Sequence, residues 1–217
     1  MTTKDRILNA AEHLFARDGI EATSLRAITA EAGVNLAAVN YHFQSKDALV
    51  RAVIARRVVP VNQRRMELLE ACERGAGDGP LPLEEVVDAF LRPVIEIYAS
   101  RAREFVPLMG RMFTEPAEFM EQVFKDHLEP VAKRFIRAWE RALPDLPRVE
   151  LLWRLHFSIG ALGHTMGASH ILRLLSEGEC DPSDVEGTLR RLETYILAGL
   201  KAPVAKAPVA EVEHAMH

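Results

Sequence analysis

Apolar residues recur every three or four positions along nearly the whole chain, and no segment sustains the strict alternation of a half-buried strand. The pattern predicts an all-α fold. A first helix places Ile7, Leu8, Ala11, Leu14 and Phe15 on one face and stops at Gly19, a residue suited to the left-handed backbone that ends helices. Ser24 is placed to cap a short helix, LRAITAEA, with Leu25, Ile28 and Ala32 inward and Gly33 at its end. Asn35 is placed to cap a second short helix, LAAVNYHF. Ser45 does the same for a long amphipathic helix through Leu49, Val50, Val53 and Ile54, with Asp47 favourable in its first turn. Pro60 should kink that helix or end its first part, because a mid-helix proline removes a backbone donor.

The run GAGDGPLP at 75–82 reads as a linker. Beyond it, residues 83–112 predict one or two helices bent by Pro93 and Pro107, and 116–142 a helix bent or split at Pro130. A longer helix is expected over 148–176, and a last one from Asp181-Pro182 to about Leu200. The tail 202–217 repeats APVA and lacks bulky core residues, which predicts disorder. The organisation expected is therefore a three-helix head over 1–57, a larger helical body over 58–201, and the tail.

A length of 217 residues with 48% hydrophobic content supports a sizeable core. The formal charge of −4 argues against a protein that coats nucleic acid with its whole surface. Residues 1–57 nevertheless hold eight Lys and Arg against six Asp and Glu, so the head is the cationic part of an acidic chain. The two cysteines, Cys72 and Cys180, have no second Cys or His at metal-ligand spacing, which fits a reducing cytoplasm. No stretch reaches the roughly 18 apolar residues of a membrane span.

The two short helices and their glycine turn have the form of a helix-turn-helix, in which the second helix lies in the DNA major groove and the first braces it. Val34 and Val39 can anchor the second helix, and the small Ala37 and Ala38 allow its backbone to approach DNA. Arg26 can read guanine or clamp a phosphate, and the Asn40 amide can pair with adenine. Tyr41, His42 and Lys46 suit phosphate contacts. Leu36 shares the leading edge of this helix, Asn35 serves equally as cap or phosphate contact, and Phe43 is assigned to packing.

The wording T-S-x-R-x-I-x-x-x-A-G-V-N-x-A-A-V-N-Y-H-F-x-S-K-D-A-L resembles the TetR family of one-component repressors, strongly over residues 5–57. Asn40 stands where that family often has Tyr, and Ala37 where it often has Gly. VNLAAVNYHF together with LLWRLHFSIGA is more loosely similar to the fatty-acid-responsive PsrA-like subgroup. The resemblance implies a homodimer that binds a palindromic double-stranded DNA operator and is released by a small effector held in the body. The looser likeness implies an apolar effector, a fatty acid or acyl-CoA.

The candidate pocket lining is the methionine-rich apolar set Phe105, Met109, Met112, Phe119, Phe124, Trp153, His156 and Phe157, since methionine adapts its shape to flexible ligands. Core packing is the other reading for each of these residues. Arg92, Arg103 and Arg154 are candidates for a ligand carboxylate. Gly160, Gly163 and Gly167 thin one helix face and allow another helix to approach closely, either across the dimer seam implied by the family or within the chain.

His156 and His164 lie two helical turns apart with no supporting carboxylate or thiolate, so no metal site is expected. The chain has no phosphate loop, Rossmann fingerprint, HExxH or GxSxG, so neither an enzyme nor a bound cofactor is expected. A helical adaptor that binds protein instead of DNA is the remaining alternative.

Overall fold

A capping box starts the first helix: the Thr2 hydroxyl accepts the Asp5 amide N–H, and the Asp5 carboxylate accepts the Thr2 amide. This helix, α1 (Thr3–Asp18), is followed by α2 (Leu25–Ala32), α3 (Leu36–Phe43) and the long α4 (Lys46–Ala76). Next come α5 (Leu83–Ala99), a π-helical turn Phe124–Leu128, α6 (Glu129–Ala142), α7 (Arg148–Gly167), α8 (Ser169–Leu175) and α9 (Val185–Lys201). The structure is a computed structural model that describes residues 1–99 and 121–204. Every regular element among these residues is helical, as the apolar spacing predicts. None of their helices is long and apolar enough to cross a membrane.

Two apolar clusters organise the chain. In the first, Ile7, Phe15, Ile28, Val39, Leu49 and Ile54 bring α1 to α3 and the start of α4 together, with Val123 from the later chain inserted among them. In the second, Leu69, Leu91, Phe135, Leu151, Leu155 and Leu200 unite the rest of α4 with α5, α6, α7 and α9. Between Val58 and Leu69, α4 passes from one cluster to the other. Glu12 ties α1 to α4 by accepting two N–H groups of Arg57, at 2.7 and 2.9 Å.

The structure bears on several of the breaks expected from proline and glycine. Pro60 does not end the helix, because it lies on the exposed side of α4 while Val58, Asn62 and Arg65 are buried on the other. Burial along both halves outweighs the one backbone hydrogen bond that proline forfeits. Pro93 likewise sits inside α5. Pro130 falls in the first turn of α6, where a missing N–H costs little, and the helical residues before it take the wider π register. The helix expected over 148–176 is two helices, divided at Ala168 (φ −123°, ψ 23°) just after Gly167. Pro107 and the tail beyond residue 204 lie outside the described residues.

The seam between α5 and α9 holds an uncommon acid pair. Burial and the neighbouring Asp88 carboxyl push the Glu193 carboxyl up to about 7; Glu186 adds to the effect and Arg92 opposes it. Arg92 pairs with Asp88 at 2.7 Å, which leaves Glu193 beside an acidic neighbour without a cation of its own among the described residues. The folded chain keeps this proton to about pH 7, whereas the unfolded chain releases it near the ordinary 4.5. Stability therefore falls as the pH rises through that window. Solvent screening of a half-buried group limits the effect to about 1 kcal/mol or less, or about 2–4 °C in Tm for a chain of this size. Glu193→Gln, which is neutral at every pH, should lose less Tm than the natural chain between about pH 5 and pH 8 in thermal unfolding scans. Equal losses in the two proteins would remove Glu193 as the titrating group.

Candidate nucleic-acid interface

The three serine and asparagine caps expected from the sequence are formed. Ser24 Oγ accepts the Ala27 N–H at 3.1 Å, Asn35 Oδ1 the Ala38 N–H at 2.9 Å, and Ser45 Oγ the Ala48 N–H at 3.1 Å. Each satisfies a backbone donor that the first turn leaves open. Asn35 is thus engaged as a cap while its side chain remains exposed.

Gly33 ends α2 in the left-handed conformation (φ 60°, ψ 42°), and its N–H reaches back to the Ala30 carbonyl. Arg6 then closes the turn from α1, its Nη2 donating to the Ala32 and Gly33 carbonyls at 2.6 and 2.7 Å. A Cβ at Gly33 would stand 2.8 Å from that nitrogen. Glycine suits the left-handed backbone here, and a side chain at this position would displace the far end of Arg6.

The second helix of the pair sorts its residues cleanly. Val39 and Phe43 are buried in the head core, which agrees with Phe43 as a packing residue, and Ala38 is half-buried. Leu36, Ala37, Asn40 and Tyr41 form the opposite, solvent-facing side, with Tyr41 83% exposed. Arg26 is exposed on α2. His42 is half-buried, with its ring edge-on to Tyr41 at 5.1 Å. Lys46 donates to the Glu21 carbonyl at 3.2 Å, which ties the start of α4 to the loop before α2. The structure thus brings Arg26, Leu36, Ala37, Asn40, Tyr41, His42 and Lys46 into one head around an exposed helix face.

Two features of this head escape a reading by periodicity. One is the Arg6 clamp, a contact across more than twenty residues. The other is Gln44, whose φ of 65° and ψ of −37° let the Ser45 N–H bond to the Phe43 carbonyl at 2.7 Å in a tight γ-type turn. A non-glycine residue held at positive φ is strained, and the strain sets α3 against α4.

In the body the described members of the expected pocket set face solvent. Phe105, Met109, Met112 and Phe119, like Arg103, lie outside the described residues. Phe124 is exposed on the π turn. Trp153, His156 and Phe157 stack together on the outer side of α7, with Trp153 53% and Phe157 63% exposed. They do not face the interior because α7 turns Leu151, Leu155, Leu162 and Met166 inward. Gly160 continues their exposed face with open space around it, Gly163 is half-buried and Gly167 exposed.

The two described arginines proposed for a ligand carboxylate are already committed. Arg92 holds Asp88, and Arg154 holds Glu150 at 3.0 Å while donating to the Leu200 and Ala202 carbonyls. A largely apolar cavity of about 180 Å³ does open between α5, α7, α8 and α9, lined by Ile95, Met166, Ile171, Leu172 and Val185 among others. No cluster of three metal-ligating side chains occurs among the described residues.

Comparison with known proteins agrees with this geometry. The nicotine-responsive transcriptional repressor HdnoR of Paenarthrobacter nicotinovorans is 24% identical over 139 residues, which is 64% of this chain and 70% of that protein. The regulator UidR of Escherichia coli is 38% identical over 52 residues, 24% of this chain and 26% of that protein.

Among solved structures, a TetR-like regulator from Rhodococcus superposes with a TM-score of 0.62 at 19% identity, covering 93% of this chain and 97% of that one. SmeT, the repressor of a Stenotrophomonas maltophilia multidrug efflux pump, gives 0.61 at 22%, covering 94% and 96%. The fatty acid degradation regulator FadR of Bacillus halodurans gives 0.60 at 14%, covering 94% and 98%. At these identities the structures share the fold. The profile described as "Bacterial regulatory proteins, tetR family" matches residues 7–53, over the helix-turn-helix, and "Tetracyclin repressor-like, C-terminal domain" matches residues 88–199, over the body. The chain therefore belongs to the TetR family of transcriptional regulators.

Proposed function

We propose that this chain is a ligand-responsive repressor that binds a palindromic operator as a homodimer and leaves it when an apolar effector enters the body. The observation that carries the reading is the division of α3, with Val39 and Phe43 fixed in the core and Asn40, Tyr41 and Ala37 presented to solvent. A helix so anchored offers a polar face to the major groove. Two heads about one helical turn of DNA apart, roughly 34 Å, would read the two halves of a palindrome.

The exposed apolar row Val149, Leu152, Trp153 and Phe157 on α7, extended by Gly160 and flanked by Tyr195 on α9, suits a seam between two copies. That assignment moves Trp153, His156 and Phe157 from the pocket to the dimer face. Effector binding would reach the head by two routes, the shared helix α4 and Val123, whose side chain sits in the head core although it belongs to the later chain. A ligand that fits the body better at one head spacing than another shifts the population toward that spacing. The relatives respond to or govern unlike chemistries, by name nicotine, efflux and fatty acid degradation, so the effector must be argued from this chain's own interior.

Selection of genomic duplex DNA by the purified chain tests the reading, a two-fold symmetric footprint being the expected result. Recovery of no preferred duplex would leave the adaptor reading in its place. On the selected operator, Lys46→Ala and Tyr41→Phe should weaken binding to all sequences alike. Arg26→Ala and Asn40→Ala should also relax preference at particular base pairs, by about 1–3 kcal/mol of discrimination each. Affinities measured on a set of single-base operator variants check this. Equal losses on every variant for Asn40→Ala would remove its reading role.

Charge placed on the seam should separate the two copies. Phe157→Glu is expected to sediment as a monomer and to bind operator at least about tenfold more weakly, since two linked heads gain from high effective concentration. A folded Phe157→Glu dimer with unchanged operator affinity would place the seam elsewhere.

A further inference from the structure

Among the described residues two arginines are buried in the body, and the fold treats them differently. Arg154, 7% exposed, is held by the Glu150 carboxylate and by two carbonyls. Arg65, 8% exposed, has no carboxylate partner among the described residues. Its Nε donates to the Phe90 carbonyl at 2.8 Å, its Nη1 makes a long contact of 3.3 Å to Asn62 Oδ1, and its guanidinium carbon lies 4.1 Å from the centre of the Phe90 ring. Nη2 has no hydrogen-bond partner among the described residues. Burial lowers this guanidinium to about 10, and no anion among the described residues offsets the shift.

A buried cation costs several kcal/mol unless charge or hydrogen bonds compensate it, and one carbonyl and one ring face offset only part of that. The surroundings repeat the imbalance. Phe90 packs edge-on against Trp139 at 5.1 Å, and the buried Trp139 Nε1 also lacks an acceptor. Asn62 faces Arg65 from the same helix but spends its amide N–H on the His127 carbonyl of the π turn, at 2.7 Å. The unfilled groups flanking Phe90 are all donors, and one of them is a cation. A molecule that meets this group must bring acceptors and negative charge, on an apolar frame suited to the hydrophobic body around Phe90.

We propose that Arg65 is the anion-receiving residue of the body and that the effector is an apolar organic acid whose carboxylate meets its guanidinium fork. This deepens the ligand-responsive reading and rests on it. The planar fork can accept a carboxylate through two parallel N–H bonds without giving up the Nε bond to Phe90.

The test uses the full chain and calorimetry with octanoate, dodecanoate and 2-naphthoate, each against the neutral alcohol of the same skeleton. At least one acid should bind about tenfold or more tightly than its alcohol, and Arg65→Met, which keeps the apolar stem, should reduce that preference to about twofold or less. Arg65→Lys, a point charge without the fork, should retain part of it. If circular dichroism shows Arg65→Met unfolded, Arg65→Gln takes its place. A purely structural Arg65 would lower Tm when replaced yet leave the acid-to-alcohol ratio unchanged, and that result overturns the proposal. So does an unmutated chain on which no acid outbinds its alcohol. Operator binding measured in parallel separates the two readings: operator binding without an acid preference sinks this assignment alone, whereas loss of operator binding by the unliganded chain sinks the regulator reading.

Discussion

The packing of one helix into two apolar cores is the constraint on which the rest of the molecule depends. The first part of α4 supplies Leu49, Val50, Val53 and Ile54 to the head, and its second part supplies Leu69 and Cys72 to the body. A helix transmits rotation and translation along its length because each turn is hydrogen-bonded to the next. The head therefore cannot reorient without the body end of α4 responding. Continuity through Pro60 is what makes this coupling mechanical, and it holds because the proline stands on the wet side while both halves are anchored on the dry side.

Within the head, precision comes from few contacts. The Gly33 turn, closed by Arg6, sets α3 against α2, and the strained Gln44 turn sets it against α4. Neither adds much buried area. Their effect is geometric, since a groove-reading helix displaced by an ångström loses its short, directional contacts with base edges. The caps on Ser24, Asn35 and Ser45 act in the same direction by fixing where each helix begins.

The body shows the opposite economy, with its polar groups enclosed among apolar ones. Arg154 closes the end of α9 with every strong donor satisfied, whereas burial and the neighbouring Asp88 hold the Glu193 carboxyl well above its ordinary value at the α5 and α9 seam. Arg65 is the member of this group whose charge no carboxylate among the described residues answers. Enclosed charges in a low dielectric interact strongly with whatever enters beside them, so an imperfectly paired interior is suited to discriminate among ligands.

Periodicity, caps and glycines alone determined the helical class, the head with its three helices leading into α4, and the outward face of α3, because these depend on residues three or four apart in one chain segment. The packing role of Phe43 followed in the same way. Tertiary structure decided whatever depends on distant residues. It kept α4 whole across Pro60, divided the 148–176 segment at Ala168, and turned Trp153 and Phe157 outward when composition suggested a pocket. It also chose among the arginines: Arg92 and Arg154 found carboxylates one turn away, while Arg65, spaced on α4 like a core residue between Val58 and Leu69, was carried inside without one among the described residues. Sequence spacing shows that such a residue faces inward, but only the arrangement of the other helices determines whether a counter-charge waits there.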